Sequence, residues 1–125
     1  MADLRMDGVK VLLVEDDALI ALDIEDTLVA AGATVIGPYA TLAAARQAAR
    51  GAAIDLAILD IDLHGEEVFP AAAVLRERGV PFLFYTGRPD REALTSTFQG
   101  VPVCRKPLDT RQLMAEAGKL ITLAA

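Results

Sequence analysis

Tryptophan is absent from this chain of 125 residues, cysteine and histidine occur once each, and aromatics make up only 5%. One cysteine excludes an internal disulfide, so the core has to close by apolar packing, for which a single domain of this length suffices. Cys104 lies in an apolar run, as a small buried residue does, and a free thiol suits a reducing compartment. No basic stripe relieves the net charge of −6, which argues against direct nucleic-acid contact. Residues 1–8 lack the apolar core of a signal peptide. The uncharged stretch 27–45 is broken by Gly32, Gly37-Pro38 and threonines, which reads as a helix end, a strand and a turn rather than a membrane span. These absences point to a soluble, cytoplasmic chain with no membrane contact.

What is present is an alternation, repeated five times, of short apolar runs with helix-like stretches. Residues 9–14 form a continuous β-branched and leucine run, as in a strand covered on both faces. Residues 17–31 read as a helix whose inner stripe is Ile20, Ile24, Leu28 and Ala31, closed by Gly32. Residues 34–36 make a short strand that Gly37-Pro38 should end, and Thr41 caps an alanine-rich helix through Arg50. A third strand, 54–59, leads to a helix through Arg78 with Pro70 in its first turn. Residues 81–85 are a fourth strand, and 90–98 a thin helix rich in Thr and Ser. Residues 101–104 are a fifth strand, with Pro102 marking a sheet edge, and Asp109 caps the last helix. Five βα units in a row predict a doubly wound α/β domain with a five-stranded parallel sheet.

The polar residues sit where the apolar runs end. The first run delivers Glu15-Asp16-Asp17, the third Asp60, the fourth Thr86, and the fifth Arg105-Lys106-Pro107. In such sheets the site lies at the carboxyl ends of the strands. Three converging carboxylates need a counterion or a raised pKa, since two charges about 4 Å apart repel by roughly 4 kcal/mol at an effective dielectric near 20. An all-oxygen set without a converging His or Cys favours Mg²⁺. Asp60 is the candidate nucleophile, with Lys106 and Thr86 to hold phosphoryl oxygens.

The residues 11–17, the segment 59–63 with Gly65, the step Tyr85-Thr86-Gly87 and the pair Lys106-Pro107 resemble the receiver domain of two-component response regulators. The resemblance runs from about residue 9 to residue 120, and segments 65–70 and 101–107 resemble a subgroup of small alphaproteobacterial-type receivers. It implies a (βα)5 flavodoxin-like fold of strand order 2-1-3-4-5. It also implies Mg²⁺-dependent phosphorylation of Asp60 by a sensor histidine kinase or histidine phosphotransfer protein. Asp16 and Asp60 would bind Mg²⁺ through their side chains, Glu15 through water and Asp62 through its backbone carbonyl. Thr86 and Lys106 would contact the phosphoryl group.

Residues 1–125 then form a single receiver domain, core about 9–122, without an output domain. It would act as a phosphoacceptor rather than a turnover enzyme, signalling to a downstream protein as a monomer or weak homodimer. Receivers usually carry an aromatic three residues before the lysine; this chain has Val103. Output is therefore expected from rearrangement of the polar segment between Thr86 and Gly100. Asp62 and Arg88 are placed to pair over the site, His64 lies in the same loop, and Leu22 lies off the buried helix stripe. Three alternatives stand beside this reading. One is a haloacid-dehalogenase-like phosphatase using Asp60 and Asp62, and another a degenerate receiver acting only through protein contacts. The third, a flavodoxin-type binding module, would have its phosphate repelled by residues 15–17.

Overall fold

Continuous apolar runs flanked by amphipathic helices can hide both of their faces only inside a layered α/β arrangement, and this chain adopts one. The computed structural model describes residues 5–124. Five parallel strands, β1 (Lys10–Val14), β2 (Thr34–Tyr39), β3 (Leu56–Asp60), β4 (Phe82–Thr86) and β5 (Val103–Arg105), form one sheet ordered β2-β1-β3-β4-β5. That is the order implied by the resemblance. Helices α1 (Ala18–Ala30), α2 (Leu42–Gly51), α3 (Phe69–Glu77) and α4 (Thr110–Ala124) connect or follow the strands.

Alternate strand residues face opposite layers. Val11, Leu13, Ile58, Leu83, Tyr85 and Cys104 pack against Ile24 and Leu28 of α1 and against Leu113 and Ala117 of α4. Leu12, Val14, Ala57, Leu59, Phe82 and Phe84 pack against the alanines of α2 and α3. Residues 11–14 and all of β3 and β4 are buried, which explains why they read as unbroken apolar runs. The four phenylalanines of the chain, Phe69, Phe82, Phe84 and Phe98, meet in one cluster with ring centroids 5.3 to 6.2 Å apart. Among the described residues no helix is long and apolar enough to cross a membrane.

Caps set the helix starts. Asp17 accepts from the amides of Leu19 and Ile20, Thr41 from Ala44, and Asp109 from Arg111 and Gln112. Pro70 sits in the first turn of α3.

Three expectations are corrected. Gly37-Pro38 does not end β2, which runs on to Tyr39. As an edge strand β2 tolerates a residue with no N–H, and the pairing with β1 slips between Leu12 and Val14 to accommodate it. Gly37 has φ +109°, and a Cβ there would lie 2.7 Å from the Leu13 carbonyl oxygen. The thin helix over 90–98 is only a 3-10 turn, Glu92–Leu94. Thr95 and Ser96 hydroxyls donate to the Glu92 carbonyl, competing with the helical ladder. Residues 61–65, expected to form a loop before the helix, belong instead to a hairpin in which Asp62–Leu63 pairs with Glu66–Glu67. Its turn is His64-Gly65, both at positive φ (49° and 86°), the conformation a tight two-residue hairpin demands.

Candidate functional site

The carboxyl ends of β1, β3, β4 and β5 lie along one edge of the sheet, so whatever follows each strand is gathered there. Glu15 and Asp16 follow β1, Asp60 is the last residue of β3, Thr86 the last of β4, and Lys106 follows β5. Oxygens of Glu15, Asp16 and Asp60 all lie within 4.8 Å of one another. Lys106 Nζ is 3.2 Å from Asp60 Oδ1 and 3.9 Å from Glu15 Oε1. Four of the five side chains singled out from sequence therefore meet at one corner of the molecule, and Thr86 ends the strand beside Asp60. Lys106 and Thr86 are also tied through the backbone, the Lys106 amide donating to the Thr86 carbonyl at 2.9 Å.

Each acid is held differently. Asp60 is 1% exposed. Its Oδ1 faces Lys106 and accepts a long bond from the Asp62 amide at 3.4 Å, whereas its Oδ2 is buried with no hydrogen-bond partner. Burial, followed by the neighbouring Glu15 carboxylate, pushes the Asp60 carboxyl up to about 8 against the pull of Lys106. Glu15 Oε1 accepts from the Tyr85 hydroxyl and Oε2 from the Asp17 amide at 2.9 Å. Asp16 Oδ2 accepts from the His64 amide at 3.1 Å, with His64 Nδ1 at 3.7 Å. Burial alone would raise the Asp16 pKa, but that amide, the neighbouring Glu15 and Asp60 carboxyls, and His64 outweigh it and hold it below the usual value. A cluster that must share protons to coexist, with one buried oxygen unpartnered, has the chemistry of a hard-cation site.

The rim differs from expectation. Asp62 pairs with Arg91 rather than with Arg88: Arg91 Nη1 and Nη2 donate to Asp62 Oδ1 and Oδ2 at 3.1 and 2.8 Å. Arg88 instead contributes its backbone, its amide donating to Thr86 Oγ1 at 3.0 Å and its carbonyl accepting from Arg91 Nε at 3.3 Å. Arg91 Nη1 also reaches Glu67 Oε2 at 2.8 Å and Nη2 reaches Thr86 Oγ1 at 3.3 Å. The guanidinium is held charged by Asp62 foremost, despite the opposing effect of burial.

This geometry belongs to a known fold. A response regulator receiver protein of Sinorhizobium medicae is 28% identical and superposes with a TM-score of 0.84, over 94% of this chain and 98% of that one. SdrG of Sphingomonas melonis is 36% identical, with a TM-score of 0.77 over 92% of this chain and 97% of that one. The chain belongs to the response regulator receiver family. Of the response regulator PhyR of Brucella abortus this receiver spans half the length, at 24% identity and a TM-score of 0.81 over 96% of its own residues, a likeness of fold. No family model and no curated protein matches the sequence.

Two features of the receiver escaped the sequence. Tyr85 reads as one more strand aromatic, yet it is fully buried with its hydroxyl on Glu15. Arg91 falls in the stretch read as a thin helix and was not singled out, yet it is 8% exposed. Neither carried a signal in spacing, because each partner lies on a different strand or loop. Val103, in the place of the usual aromatic, packs beside the cluster that contains Phe84 and Phe98.

Proposed function

We propose that this receiver accepts a phosphoryl group on Asp60 from the phosphohistidine of a sensor histidine kinase or a histidine phosphotransfer protein, in a Mg²⁺-dependent reaction. The observation that carries the reading is Asp60 itself: a buried carboxylate with a lysine on one oxygen and nothing on the other. A carboxylate oxygen attacks phosphorus; an O–P bond forms, the P–N bond breaks, and its electron pair stays on the imidazole nitrogen. Lys106 neutralises one phosphoryl oxygen and the Thr86 hydroxyl donates to another.

The acids suit a hard divalent cation because every available ligand is oxygen and because Asp60 Oδ2 lacks a partner. Asp16 and Asp60 would hold Mg²⁺ through their side chains, Glu15 through water and Asp62 through its backbone carbonyl. Bound there, the ion supplies neutralisation of charge on the group being transferred.

The chain then works as a loaded signal carrier in the cytoplasm, and not as a turnover enzyme. Engagement of both Asp62 carboxylate oxygens by Arg91 counts against the phosphatase alternative, which needs that side chain as an acid and base. Leu19 and Leu22, exposed on α1 beside the acidic corner, suit the approach of the phosphodonor protein. Output leaves through residues 88–100, whose one short turn makes the segment easy to remodel.

Incubation with acetyl phosphate and Mg²⁺ tests the proposal. Intact mass should show one phosphoryl adduct that disappears in Asp60→Asn and when the metal is chelated. An adduct that survives either change would overturn it.

A further inference from the structure

A guanidinium carries five N–H donors in a rigid plane, and burying it is tolerable only when they are used. Arg91 uses all five: Nε on the Arg88 carbonyl, Nη1 on Asp62 and Glu67, Nη2 on Asp62 and Thr86. Asp62 and Glu67 are direct cross-strand partners in the hairpin after β3, where like charges repel. One cation lying across both acids lets that hairpin close.

The consequence falls on Thr86. A threonine hydroxyl offers one proton and two acceptor positions. Thr86 Oγ1 accepts from the Arg88 amide at 3.0 Å and from Arg91 Nη2 at 3.3 Å, which fills both positions. Thr86 is fully buried, and among the described residues no acceptor takes its proton. What remains is a donor whose rotation is already fixed by the groups behind it.

We propose that Arg91 is a positioning residue for phosphoryl transfer: it holds the Thr86 oxygen so that the hydroxyl proton is presented to the phosphoryl group on Asp60, and it ties that hydroxyl to the hairpin 62–67 and the segment 88–100. The inference rests on the phosphoacceptor reading above and adds to it the residue that acts through Thr86. A donor aligned in advance needs no reorganisation when charge arrives, which is where such hydrogen bonds contribute most. The same five bonds give the phosphorylated state a route outward, because any shift of Thr86 toward the phosphoryl group stretches one arm of the fork.

The test is a double-mutant cycle on adduct formation from acetyl phosphate with saturating Mg²⁺, in wild type, Arg91→Gln, Thr86→Ala and the double variant. Arg91→Gln should slow adduct formation about tenfold, the worth of one aligned hydrogen bond. In the Thr86→Ala background it should slow the reaction no further, since the two residues act as one unit. Arg91→Lys, which keeps the charge but not the fork, should not restore the rate. Equal effects of Arg91→Gln in both backgrounds, or a variant as fast as wild type, overturn the inference. A second measurement does not depend on how the variants fold. In the unsubstituted protein the Arg91 guanidinium N–H resonances should shift on adding beryllofluoride and Mg²⁺. If they stay in place while site amides move, the coupling is absent. A wild type that takes no phosphate sinks the phosphoacceptor reading itself; a phosphorylated wild type with no coupling sinks only the role of Arg91.

Discussion

The Tyr85 hydroxyl donates a hydrogen bond to Glu15 across the sheet, joining residues 70 apart in the chain. β3 runs between their two strands, so the bond spans the strand that carries Asp60. Tyr85 stays protonated at any ordinary pH, because burial first and the Glu15 charge second push its pKa well up. It thereby supplies the buried Glu15 with a permanent donor on one oxygen while the Asp17 amide holds the other.

Tyr85→Phe removes that donor and leaves the carboxylate oxygen buried. We expect a stability loss of about 1–3 kcal/mol, the penalty for an unsatisfied buried group, measured by urea unfolding. An unchanged midpoint would show that water or Lys106 replaces the phenol.

The pH dependence of the metal-free protein carries the signature of Asp60. Its carboxyl is raised to about 8 by burial and by Glu15, with 3.8 as the ordinary value. Between those values the native state keeps a proton that the unfolded chain has released, so this group makes stability fall as pH rises and then level off. Below 3.8 both states are protonated and the effect vanishes. Asp60→Asn has no such proton. The stability of the variant relative to wild type should therefore grow from pH 4 to pH 8 in chelator, as read by denaturant midpoints. A constant difference would contradict the raised pKa.

Lys106→Met removes the cation 3.2 Å from Asp60. Adduct formation from acetyl phosphate should fall by about a hundredfold, typical of losing one preorganised charge at a developing anion. The variant should still bind Mg²⁺ at the three acids, which a titration would report.

Phe98 anchors the end of the segment 88–100. It stacks on Phe69 at 5.3 Å and lies under the Arg76 guanidinium at 4.7 Å. Phe98→Ala should destabilise by about 3–5 kcal/mol, as other buried aromatic truncations do. Amide exchange across residues 88–100 should accelerate more than in β1 or β3; uniform acceleration would mean the segment has no independent mobility.

Gly37→Ala tests the slip in the β1–β2 pairing. The added Cβ meets the Leu13 carbonyl oxygen at 2.7 Å in a left-handed conformation. A loss of more than about 1 kcal/mol in thermal or urea unfolding is expected.

The strand runs, the caps at Thr41 and Asp109, and the acids, hydroxyl and amine at the strand ends were legible in the sequence. Each depends on local periodicity or on a side chain reaching its own neighbours, which spacing encodes. The doubly wound layout followed, because parallel strands need crossovers of fixed hand. Tertiary structure alone decided the rest. β2 continues through Pro38 because it became an edge strand, and residues 90–98 stay mostly non-helical because their hydroxyls compete for Glu92. Arg91 found Asp62, Glu67 and Thr86, and Tyr85 found Glu15, because folding brings separate loops and strands to one sheet edge. A guanidinium or phenol has no period that announces its partner: its choice is made by desolvation, which rewards whichever acceptors the fold places within reach.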